Sequence, residues 1–215
     1  MSGERGAQQI PMKKCTNLVI ENSAAPGSLV LARNGIVIHE RMFHGAGELA
    51  TEMAKAIELV DQLDEVIVGI GPGSYTGLRV AVASAFGLSL ATGCRRWGCP
   101  SILGFAETDY AVIGDARRGS VFFARIANGE ISEGPELLPK AGLSNLVGNR
   151  LGIPLFAVGP IPELPQVEVK VPSARFLLDK AGSYAPLSEP IYLKEPHITQ
   201  RTTANANERQ RTDVR

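Results

Sequence analysis

Histidine and cysteine are scarce in this sequence. Its 215 residues hold three of each. Cys15, Cys94 and Cys99 show no C-x-x-C spacing, so a structural zinc site has little to draw on. An odd thiol count fits reduced cysteines in a cytosol better than a disulfide framework. Only His39 and His44 lie close in sequence, with no suitable third ligand beside them. Charge of one sign is lacking as well: 22 Lys and Arg balance 22 Asp and Glu. No whole-protein field therefore draws the chain to nucleic acid or membrane. No apolar run approaches the roughly 20 residues of a membrane span. Residues 1–14, MSGERGAQQIPMKK, lack the apolar centre of a signal peptide. A soluble, cytoplasmic protein is expected.

What is present is glycine in a telling place. Gly69 to Val80 reads GIGPGSYTGLRV. A P-loop needs a lysine after its last glycine, and the lysines before Gly93 are Lys13, Lys14 and Lys55. A dinucleotide fingerprint fails at Ser74 or Thr76, and a nucleophile elbow fails because Pro72 and Thr76 flank Ser74 at two residues' distance. No histidine follows until His197, so a Ser–His pair finds no support. A strand-to-helix turn survives these tests. Gly71, Gly73 and Gly77 permit positive φ, Pro72 fixes its own, and Ser74 or Thr76 can cap the helix that follows. A helix N-terminus binds anions even without lysine, so a ligand loop and a structural turn both stay open here.

Periodicity supplies the rest of the chain. Residues 17–21, 28–33 and 36–41 read as three strands, the last two joined by Asn34-Gly35, a hairpin signal. Helical spacing of Leu49, Met53, Ile57 and Val60 predicts a helix over 48–63. A buried strand is expected at 65–70, then a helix over 77–92 that Gly93 ends. That helix, GLRVAVASAFGLSLAT, carries one charge, Arg79. Val80, Ala83, Gly87 and Ala91 share a face. Small residues there permit close packing inside the chain or a helix–helix interface between chains. Strands follow at 110–115 and 120–126, with Asn128-Gly129 as a further hairpin signal. Short strands are expected at 154–159 and 167–171, a weak helix at 141–150, and a helix over 173–185. Residues 195–215 read as a polar tail. A meander followed by βαβα predicts mixed sheets with helices on both faces.

Three segments then carry a resemblance. GIGPGSYTGLRVAVASAFGLSLATG (69–93), IGDARRGSVFFARI (113–126) and EPIYLK (189–194) resemble, in that order, the signatures of the bacterial TsaB (YeaZ) family. The likeness spans roughly residues 16–194. It implies an α/β, two-lobed actin/hexokinase/Hsp70-like (ribonuclease H-like) fold, with lobes at 16–108 and 109–194 between a leader (1–15) and a tail (195–215). It implies a non-catalytic scaffold subunit of the complex that makes N6-threonylcarbamoyladenosine at position 37 of tRNA. Its partners would be a TsaD-like subunit and a TsaE-like ATPase, with a homodimer when alone. tRNA would be met only through the complex, and no cofactor or metal is implied.

The sequence departs from the family at two corners. Glu21-Asn22-Ser23 stands where the first strand usually ends in Asp-Thr, and Ala46-Gly47 where His-Ser is common. The candidate partner interface is Val80, Ala83, Gly87, Ala91 and Arg79. The structural loop is Gly71, Pro72, Gly73, Ser74, Tyr75, Thr76 and Gly77, which aims that helix. Glu21, Asp115 and Arg117 are candidate polar residues of the cleft, though Asp115 also suits a cap on its own turn. The alternative function is an ATP-binding phosphotransferase-like enzyme of the same fold. A glycoprotease-like peptidase ranks third, for want of a nucleophile–base pair or metal triad.

Overall fold

The computed structural model describes residues 15–141, 143 and 152–193. The leader up to residue 14, the tail 195–215 and most of the helix expected over 141–150 lie outside the described residues.

The first sheet starts as a meander. β1 (Thr16–Glu21), β2 (Gly27–Arg33) and β3 (Ile36–Phe43) pair antiparallel. Asn34 and Gly35 both take positive φ (55° and 77°), as a two-residue hairpin turn requires. α1 (Gly45–Ile57) crosses to β4 (Glu65–Gly69), which lies parallel to β1. α2 (Tyr75–Thr92) crosses to β5 (Arg95–Cys99), parallel to β4. The six-stranded order is β11-β5-β4-β1-β2-β3, where β11 is Ala185–Pro186. The second sheet holds β6 (Tyr110–Asp115), β7 (Ser120–Ala127), β8 (Glu130–Pro139), β9 (Leu155–Ala157) and β10 (Glu168–Val169), ordered β10-β9-β6-β7-β8.

Both faces of the first sheet are buried, which is why β1, β2 and β4 read as continuous apolar runs. Leu18, Ile20, Leu29, Val66 and Val68 pack under α1 and α2. Val19, Val30 and Ile67 point the other way, onto Tyr110, Val112, Phe122 and Phe156 of the second sheet. The short helix α3 (Ala174–Leu177) joins this second core, and its Ala174 N–H donates to Ser28 Oγ at 2.8 Å. Helices thus cover both faces of a mixed sheet.

Several sequence expectations are corrected. α1 begins at Gly45 and ends at Ile57, not at 48 and 63; beyond it Leu63 is buried as a loop residue. β5 was not foreseen and β8 was signalled only by the Asn128-Gly129 turn: RRWGC and EISEGPELLP carry too many charged, glycine or proline residues to read as strands by themselves. Their pairing with β4 and β7 outweighs that weak propensity. The helix expected over 173–185 is two separate single turns, at 174–177 and 181–183. Tyr184 Oη lies 2.7 and 2.8 Å from the carbonyl oxygens of Leu177 and Leu178, so its one proton is shared between them where the helix stops.

Candidate docking face and interlobe cleft

The glycine-rich loop is a corner. Its capping residue is Ser74, whose Oγ accepts the Gly77 N–H at 3.2 Å, so α2 begins at Tyr75. The Ser74 N–H donates to the Ser23 carbonyl at 2.6 Å and Asn22 Nδ2 to the Gly77 carbonyl at 3.0 Å. These bonds clamp the loop onto the end of β1. A Cβ at Gly77 would overlap the Asn22 carbonyl oxygen, so this backbone approach demands glycine.

Glu21 lies beneath that corner and does not line the cleft. It is 1% exposed. Its Oε1 accepts the Ser23 N–H at 2.6 Å, while Oε2 sits where a Gly69 side chain would be. Burial pushes its carboxyl above the ordinary carboxylate range, and the Ser23 and Ser101 hydroxyls temper the rise. Nothing in a lone glutamate at a strand end signals this; the adjacent glycine in β4 is the one hint, legible only once strand order is known.

α2 buries Leu78, Ala81, Val82, Ala85 and Leu88 against the first sheet. Ala83, Gly87 and Ala91 are exposed, Val80 is half-buried, and a Cβ at Gly87 would meet nothing within 4 Å. Gly87 thus meets no close neighbour within the chain, whereas Val80 packs against the core beneath α2. Leu90, overlooked by the sequence reading, stands beside them with 84% of its surface exposed. Arg79 donates to Tyr75 Oη at 2.6 Å and lies 5.1 Å from the centre of that ring. Tyr75 in turn meets Tyr192.

A cleft of about 770 Å³ opens between this loop and the β6–β7 turn. Of the structural-loop residues, Pro72, Gly73, Ser74, Tyr75 and Thr76 line it, and Asp115 and Arg117 line the far wall. Asp115 Oδ1 accepts the Arg117 N–H at 3.2 Å and lies 3.1 Å from Lys140 Nζ. It thus caps its own turn and faces the cleft at once. Arg117 and Arg118 both take positive φ, 62° and 51°. His39 faces Glu52 at 3.8 Å, and among the described residues no three His, Cys, Asp or Glu side chains group as metal ligands. No described helix is long and apolar enough to cross a membrane.

The model of the TsaD family, tRNA N6-adenosine threonylcarbamoyltransferase, matches residues 46–137. Uncharacterized proteins of Mycobacterium tuberculosis and Mycobacterium bovis are 36% identical over 156 residues, which is 67% of this chain and 70% of theirs. YeaZ from Pseudomonas aeruginosa superposes with a TM-score of 0.63 at 19% identity, covering 83% of this chain and all (100%) of that one. A second Pseudomonas aeruginosa structure, described as similar to peptidase YeaZ, gives 0.60 at 22% identity over 84% of this chain. The two-lobed fold is therefore the YeaZ fold, and the motifs quoted above fall on its loop, turn and terminal segment. The chain belongs to one family with these mycobacterial proteins and has the YeaZ fold.

Proposed function

We propose that this chain is a non-catalytic scaffold subunit of the tRNA threonylcarbamoyladenosine transferase, acting in the cytoplasm. In this reading α2 presents Val80, Ala83, Gly87 and Ala91 to a TsaD-like subunit, and the assembly recruits a TsaE-like ATPase and the tRNA. Two lobes, 16–108 and 109–194, serve as its rigid frame, and a homodimer forms when the partner is missing. The observation that carries this reading is the exposed stripe on α2. It is built of small side chains, carries Arg79 at its N-terminal end, and is topped by a leucine 84% exposed. A lone helix face of that kind lets a second backbone approach closely, and desolvating it costs little.

The phosphotransferase alternative gains nothing from the carboxylates. Glu21 is sealed under the loop and Asp115 is engaged by Lys140, so the pair does not converge on a metal-bound phosphate. Reconstitution tests the scaffold role. Threonylcarbamoyl transfer to tRNA by the organism's TsaD-like and TsaE-like proteins should require this chain. Full transfer without it would defeat the reading.

A further inference from the structure

We propose that Glu21 is a proton-operated latch on the glycine-rich loop. Neutral, its carboxyl holds the Gly71–Ser74 backbone down on the end of β1; ionised, it draws water in and that backbone lifts. The latch lies under the loop rather than in the cleft, and it does not depend on the docking role.

Two short relays join this one carboxyl to the two ends of the loop. On one side Glu21 Oε1 accepts the Ser23 N–H at 2.6 Å, and the Ser23 carbonyl accepts the Ser74 N–H at 2.6 Å. On the other side Oε2 shares with Ser101 Oγ the space left by the missing side chain of Gly69, and Ser101 Oγ accepts the Gly71 N–H at 2.9 Å. Glu21, Ser23 and Ser101 are each at most 2% exposed. The loop presses closely on them, since a Cβ at Gly73 would strike the Ser23 carbonyl oxygen.

The proton decides whether this packing holds. Glu21 Oε2 and Ser23 Oγ have no hydrogen-bond partner among the described residues. No described cationic side chain acts on the carboxyl, and the titratable group that faces it from another element is the Cys99 thiol, at the end of β5. Burial, with the Glu21 charge added, pushes that thiol up to about 12, so it stays neutral. A buried carboxylate with no cation beside it is strongly disfavoured until water reaches it. Ile20 and Val68 seal the strands below, whereas Gly73 and Ser74 above are exposed, so the loop is the thin wall through which water enters.

Amide NMR of the full chain between about pH 5 and about pH 9 tests this, with Gly71 and Ser74 as reporters. Both signals should titrate with one shared midpoint, above the ordinary glutamate value of about 4.3. Glu21→Gln keeps the shape and cannot ionise, so in that variant both should stay flat. At about pH 9, amide hydrogen exchange at the two residues should be at least about tenfold faster in the wild type than in Glu21→Gln. Comparison at one pH cancels the base catalysis of exchange itself. Ser101→Ala removes a hydroxyl that favours the ionised form, so it should move the shared midpoint upward. The wild-type titration decides even where a variant fails to fold. The proposal is overturned if the two amides do not titrate together in this range, or if their midpoint is that of an ordinary glutamate. It is equally overturned if folded Glu21→Gln titrates or exchanges like the wild type, or if Ser101→Ala leaves the midpoint where it was.

Discussion

The ring of Tyr192 lies 5.3 Å from that of Tyr75, tilted by 43°, and the guanidinium of Arg79 covers the other partner. One tyrosine opens α2; the other belongs to the segment that closes the described chain. The Ile191 N–H also donates to the Ile70 carbonyl at 2.8 Å, so the segment is tied to the loop by backbone as well. This contact holds the terminal motif against the corner at the start of α2.

Tyr192→Ala should therefore loosen that corner. An aromatic pair of this kind contributes about 1 kcal/mol beyond its buried area. In a chain of this size that corresponds to a melting temperature lower by roughly 2–4 °C. Tyr192→Phe keeps the ring and should retain most of the stability. Thermal unfolding of the two variants checks this; equal melting temperatures for Ala and Phe would speak against the stacking.

Glu21 predicts a pH dependence. Its folded pKa lies above the unfolded value, so its contribution to stability is fully present below the unfolded pKa and is lost as pH rises through the folded one. Glu21→Gln keeps the shape and removes the charge. The variant should match the wild type near pH 4 and become the more stable of the two as pH climbs past the folded pKa. Urea unfolding across a pH series measures the difference. A gap that stays constant with pH would show that the carboxyl is not the titrating cause.

Two glycines on the same helix should respond oppositely to alanine. At Gly77 the new methyl would strike the Asn22 carbonyl, and strain of this sort costs about 1–3 kcal/mol. At Gly87 it meets open space, and alanine should stabilise the helix by about 1 kcal/mol. Denaturant midpoints decide; destabilisation by Gly87→Ala would mean that the face is packed in the isolated chain.

Much of this was legible before the fold was known, for local reasons. Asn34-Gly35 and Asn128-Gly129 each place two successive residues at positive φ, which few residue types do, so both hairpins declared themselves. Of the two caps the sequence offered, Ser74 and Thr76, it is Ser74 that starts the helix, at Tyr75 and so two residues before the expected Gly77. β5 did not declare itself, because its strand character comes from its neighbour β4 rather than from its own residues, and β8 was signalled by its turn alone. The cleft was legible only in fragments. Pro72–Thr76, Asp115–Arg117 and Tyr192 stand far apart in sequence, and the packing of two sheets brings them together. Glu21 read as a polar residue of the cleft, whereas the absence of a side chain at Gly69 lets it turn inward.

The central claim is that the exposed face of α2 docks a partner. Titrating the same organism's TsaD-like subunit with wild-type chain, Gly87→Leu and Ala83→Arg tests it most directly, with circular dichroism as the folding control. Added bulk on a close-approach face costs about 1–3 kcal/mol, a loss of roughly tenfold to a hundredfold in affinity. The account predicts that both variants stay folded and lose binding by that factor. Folded variants that bind at wild-type strength would contradict it and move the docking surface elsewhere.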